Sequence, residues 1–101
     1  MNMLSINKTI ENGKADFALT GRMDTITAPE FEQALRQSLD GVSELTLDFA
    51  QLDYISSAGL RVLLAAQKAM TKQGKMKICN VNETIMEIFD VTGFSEILTI
   101  E

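Results

Sequence analysis

The sequence has no histidine, and only one cysteine and one proline stand among its 101 residues. Without histidine the chain builds no Ser/His/Asp or Cys/His nucleophile pair, and the usual zinc constellations are closed to it. The lone Cys79 can form no internal disulfide, which fits a reducing compartment. It falls in Met76-Lys77-Ile78-Cys79, a strand-like run where it reads as core filler rather than nucleophile. Neither GxxxxGK[ST] nor GxGxxG occurs, so no phosphate-cradling loop is legible. Basic residues are the minority, nine against fourteen acidic ones, and the net charge is −5. A nucleic-acid partner needs a basic patch, whereas Lys68, Lys72, Lys75 and Lys77 mark a helix end and the next strand start. No apolar run approaches the roughly 20 residues of a membrane span. The first residues show no basic and then apolar leader pattern. The expectation is a cytoplasmic protein without cofactor, not an independent catalyst.

What is present is the composition of a globular domain, 46% hydrophobic and 23% charged, with a length that suits one domain over 1–101. Leu4, Ile6 and Ile10 alternate with polar residues between Met3 and Glu11, which predicts a half-buried strand. Asn12-Gly13 is a strong hairpin signal, and Lys14 to Thr20 supplies the partner strand. Residues 21–27 are expected as a loop. Thr27-Ala28-Pro29-Glu30 has the form of a capping box with proline in the first turn. The helix it opens turns Phe31, Leu35 and Leu39 inward and stops at Asp40-Gly41. Glu44 to Phe49 is the next strand. From about Ala58 to Gln73 runs the longest helix, apolar over most of its circumference and therefore expected to be buried. Met76 to Cys79 is a short strand, and Asn82 caps a third helix from Glu83 to about Val91 with Gly93 beyond its end. Ile97 to Ile100 is expected as a last strand.

The order is ββαβαβαβ. It predicts an α/β domain with a mixed, mostly parallel sheet of about five strands, three main helices and right-handed crossovers. Ligands and chemistry in such sheets gather beyond the carboxyl ends of strands. The segments 21–27 and 50–57 both follow strands, so Asp24, Asp53, Ser56 and Ser57 are expected as neighbours there. Ser56 and Ser57 stand where strand gives way to helix. Unpaired N–H groups and a partial positive charge at that point suit either a serine cap or an arriving phosphate.

The residues around this junction resemble the STAS domains, and among them the bacterial anti-sigma factor antagonists. The resemblance covers nearly the whole chain. Gly21-Arg22-Met23-Asp24 leading into Thr27-Ala28, Leu47-Asp48-Phe49, and Gly93-Phe94 all agree. The specific string is Tyr54-Ile55-Ser56-Ser57-Ala58-Gly59-Leu60-Arg61-Val62-Leu63-Leu64. The resemblance implies a switch. A partner that is both anti-sigma factor and GHKL-type serine kinase binds the unphosphorylated domain and frees the sigma factor. Phosphorylation ends that binding, and a metal-dependent serine phosphatase resets it. Matched on the Gly-Leu pair, the family's Asp-Ser-Ser/Thr-Gly-Leu places the phosphoacceptor on Ser57, with Ser56 as second choice. Ser56 stands where many members have aspartate, and Ala58 where they have a second hydroxyl residue. The implied partner surface comprises Asp24, Thr25, Asp53, Ser56, Ser57, Ala58 and Arg61.

Two other functions use the same residues. One is a STAS-type accessory subunit of a transport complex, or another non-transcriptional partner-switching regulator, working without phosphorylation. The other is a small hydrolase or nucleotide-binding enzyme with Ser57 as nucleophile, against which the missing histidine and phosphate loop both count.

Overall fold

In the computed structural model, which describes residues 3–101, a hairpin opens the chain. It consists of β1 (Leu4–Glu11) and β2 (Lys14–Met23). Its turn places both Asn12 (φ 52°) and Gly13 (φ 78°) at positive φ, the condition that makes Asn-Gly a hairpin signal. There follow α1 (Ala28–Ser38), β3 (Glu44–Ile55), α2 (Ser57–Gln73), β4 (Lys75–Cys79) and α3 (Glu83–Thr92), then one 3-10 turn at Phe94–Glu96.

The sheet order is β1-β2-β3-β4, antiparallel at the hairpin and parallel at the other two pairings. Both parallel connections step in the same direction. Right-handed crossovers then put their helices on one face of the sheet. Ala15, Phe17, Leu19, Leu45, Leu47, Phe49, Met76 and Ile78 are buried on that face. Asn7, Thr9, Asp16, Ala18, Thr46, Asp48 and Cys79 line a shallow depression on the other. A parallel sheet with one solvated face needs this alternation, since wholly covered strands read as continuous apolar runs. Asp48 is held there by the Asn80 side-chain amide (3.0 Å) and the Ala50 N–H (2.9 Å), which lower its carboxyl below the ordinary aspartate range. Burial and the Asp48 charge push the Cys79 thiol up, so it is a poor nucleophile.

The central helix is buried as expected. Leu60, Val62, Leu63, Ala66 and Met70 are covered, and α2 packs against α1, β3 and β4. Gln73 ties its end to the α1–β3 connection, donating to the carbonyls of Leu39 (2.7 Å) and Val42 (2.5 Å). Asn82 caps α3 by accepting from the Ile85 N–H (2.8 Å), and Gly93 ends it in the left-handed region (φ 83°).

Four expectations are corrected. β2 does not end at Thr20 but continues through Met23, and β3 does not end at Phe49 but continues to Ile55. Their pairing slips twice, between Ala18 and Thr20 and again between Gly21 and Arg22, each time with an extra residue on β3. The buried positions therefore run Leu45, Leu47, Phe49, then Leu52, then Ile55. Each bulge reverses the inward parity, and the alternation that identifies a strand is lost. The capping box does not form, because the Thr27 hydroxyl is engaged elsewhere. The last strand reduces to a parallel bridge between Ile78 and Ile100, so the sheet has four strands.

Candidate functional site

The extensions of β2 and β3 build the site. Met23 pairs with Ile55, and the Ser56 N–H donates to the Met23 carbonyl at 2.8 Å. The turn after β2 is thereby laid beside the first turn of α2. Gly59 completes the junction. A Cβ there would lie 2.7 Å from Ile55 Cγ1 and 2.9 Å from Met23 Sδ, so glycine lets the helix sit this close without displacing those side chains.

The two serines divide the work. Ser56 is extended (φ −96°, ψ 175°), and its Oγ accepts a long hydrogen bond from the Gly59 N–H at 3.4 Å. Its carbonyl accepts from Leu60 at 2.9 Å. Ser56 is the N-cap and is half-buried. Ser57 is the first helical residue and is exposed, and its hydroxyl has no hydrogen-bond partner among the described residues. The first turn of α2 carries no acidic side chain, so its partial positive charge is not neutralised locally.

Asp24 organises the facing turn. Its Oδ1 accepts from the N–H groups of Ile26 (2.9 Å) and Thr27 (3.0 Å). The buried Thr27 hydroxyl accepts from the Asp24 N–H (2.9 Å) and donates to the Arg22 carbonyl (2.8 Å). The Thr27 N–H above all, then that of Ile26, the Thr27 hydroxyl and the Arg22 charge, lower the Asp24 carboxyl below its ordinary value against the opposing effect of desolvation. Its Oδ2 is shielded from solvent and has no hydrogen-bond partner among the described residues.

Thr25, Ala58 and Arg61 line one shallow groove between this turn and α2. Ala28, Pro29, Glu32 and Val62 complete it, and none of these four was among the residues expected at the partner surface. Asp53 is not brought into this groove. It lies on β3, exposed, two residues before Ile55. Beside it the Arg22 guanidinium sits over the Tyr54 ring, 4.6 Å from its centroid. Thr27's share in closing the Asp24 turn and the Arg22–Tyr54 stack were also missed. An Asp-x-x-Thr spacing is the one sequence signal that pointed to the first.

The STAS domain family model matches residues 5–101, nearly the full length of the chain. This chain belongs to the STAS domain family. Among its relatives is a Bordetella bronchiseptica protein provisionally named anti-sigma factor antagonist BtrV. It is 36% identical over 84 residues, covering 81% of this chain and 72% of that protein. The STAS domain also matches the crystal structure of an anti-sigma factor antagonist from Mycobacterium paratuberculosis. The TM-score is 0.86 at 20% identity, over 97% of this chain and 85% of that one. The Bacillus cell fate determinant SpoIIAA, solved in its phosphorylated form, superimposes with a TM-score of 0.74 at 14% identity, over 96% and 91% of the two chains. At those identities the structural likeness concerns the fold. No helix among the described residues of the STAS domain is long and apolar enough to cross a membrane.

Proposed function

We propose that this STAS domain is an anti-sigma factor antagonist in a cytoplasmic partner-switching pathway, with Ser57 as its phosphoacceptor. The domain is a substrate and a binding surface rather than a catalyst. Unphosphorylated, it binds an anti-sigma factor that is also a GHKL-type serine kinase, and the sigma factor is released. Phosphorylated, it lets go, and a metal-dependent serine phosphatase restores it.

The division of labour between the serines carries this reading. The Ser56 hydroxyl is engaged in capping α2, whereas the neighbouring Ser57 hydroxyl is exposed and unengaged among the described residues. A phosphate there meets the positive end of a helix, which tolerates the added charge of about −1.5 to −2. A partner docked over Asp24, Thr25, Ala58 and Arg61 meets new charge and bulk at its centre.

The test is intact mass after incubation with a cognate GHKL-type kinase and ATP, on the wild type and on the Ser56→Ala and Ser57→Ala variants. One phosphoryl group is expected on the wild type and on Ser56→Ala, and none on Ser57→Ala. Loss in Ser56→Ala alone moves the acceptor to Ser56. No addition to any of the three supports an accessory subunit that uses this surface without phosphorylation.

A further inference from the structure

We propose that Ile26 is the apolar anchor by which this domain seats on its kinase partner, an inference that rests on the partner-switching reading above. Ile26 is 72% exposed. The backbone that holds it out is fixed. Its own N–H donates to Asp24 Oδ1 at 2.9 Å, and the next residue, Thr27, is 2% exposed with its hydroxyl bonded to the Arg22 carbonyl. A side chain presented on an already ordered turn loses little backbone freedom on docking, which is what an anchor requires.

Single exposed aliphatic residues are ordinary on protein surfaces. Position separates this one. Thr25 precedes it in the turn, and the groove that Thr25 helps to line reaches the first turns of α2, where Ser57 stands. The groove is built from Ala28, Pro29, Ala58 and Val62, with Glu32 and Arg61 supplying its charges. Apolar surface flanked by a few polar and charged groups is a composition that suits a docking surface. A kinase that reaches the Ser57 hydroxyl covers this groove, since a stable interface takes roughly 800 Å² from each partner. Ile26 then falls within the footprint, and its occupant is an apolar pocket on the kinase surface beside the ATP site.

Val91 provides the matched control. It is 78% exposed, on the last turns of α3. That helix starts where Asn82 bonds the Leu52 carbonyl and runs back along β3 until Phe89 meets Phe49, away from the groove.

The experiment is steady-state phosphotransfer from ATP to Ser57 by the cognate kinase, for wild type, Ile26→Ala, Ile26→Glu and Val91→Ala. The KM for the domain is expected to rise about tenfold in Ile26→Ala and further in Ile26→Glu, with kcat within about twofold. Val91→Ala should match the wild type. Melting curves by circular dichroism, superimposable for all four, exclude misfolding as the cause. A KM for Ile26→Ala within about twofold of wild type, or an equal rise in Val91→Ala, overturns the anchor while leaving the switch intact. No phosphorylation of the wild type overturns the parent reading and the anchor with it.

Discussion

At the scale of single residues, adjacent side chains of one type have different fates because backbone conformation changes between them. Ser56 is extended and turns its hydroxyl back onto the helix, while Ser57 has entered the helix and points to solvent. The carboxylates differ in the same local way. Asp24 accepts from two backbone N–H groups, and Asp48 from the Asn80 amide and the Ala50 N–H. Both carboxyls are depressed below the ordinary aspartate value of 3.8 in the folded chain. An acid whose folded pKa is depressed contributes stability that is complete above its unfolded pKa. That contribution is lost as pH falls toward the folded value. The urea midpoint of the wild type is therefore expected to fall between about pH 5 and about pH 2. In an Asp24→Asn/Asp48→Asn double variant the decline should be shallower. Equal slopes for the two proteins would assign acid sensitivity to other carboxyls.

At the scale of elements, glycine sets how closely α2 is seated at both of its ends. Next to its N-terminus, a Cβ on Gly59 would meet the side chains of Ile55 and Met23 at 2.7 and 2.9 Å. At the C-terminal end, a Cβ on Gly74 would lie 1.8 Å from the Ser43 carbonyl oxygen, a backbone atom in the lead-in to β3. Side chains can move aside, whereas a backbone that begins a central strand cannot do so cheaply. Gly59→Ala is expected to cost about 1–3 kcal/mol, the range for overpacking, reduced by the better helix propensity of alanine. Gly74→Ala should cost more. Urea denaturation of both variants checks the order, and a Gly74→Ala protein as stable as the wild type would contradict the close approach. Strand bulges act at this scale as well. Two extra residues on β3 carry the strand past Phe49 and deliver Ser56 next to Met23.

At the scale of the whole molecule, the proposed switch is a local change on a two-layer body. The helices cover one face of the sheet, and Ser57, the proposed phosphoacceptor, opens α2 and is exposed. Phosphorylation of Ser57 would move the net charge from −5 by about a further −2, at an exposed residue and not in the core. Amide chemical-shift changes on phosphorylation are accordingly expected within residues 24–27 and 56–62. The amides of β1 and β4 should hold their positions. Changes spread across the sheet would mean that the switch works by refolding rather than by altering a surface.

The sequence by itself determined the hairpin, through Asn12-Gly13, and the three helices, through their apolar periodicity and the Asn82 and Gly93 caps. It also determined the family, through the string from Tyr54 to Leu64. These signals are local, and local backbone preference is enough to make them legible. Tertiary structure alone decided the full lengths of β2 and β3, because paired bulges erase the alternation that marks a strand. It decided that Thr27 locks the Asp24 turn instead of capping α1, since the Arg22 carbonyl and Asp24 N–H compete for its hydroxyl. It also decided which candidates share a surface. Thr25, Ala58 and Arg61 meet in one groove, and Asp53, five residues from Ala58 in sequence, does not join them. A bulged strand fixes where each side chain points only once its neighbour in the sheet is in place.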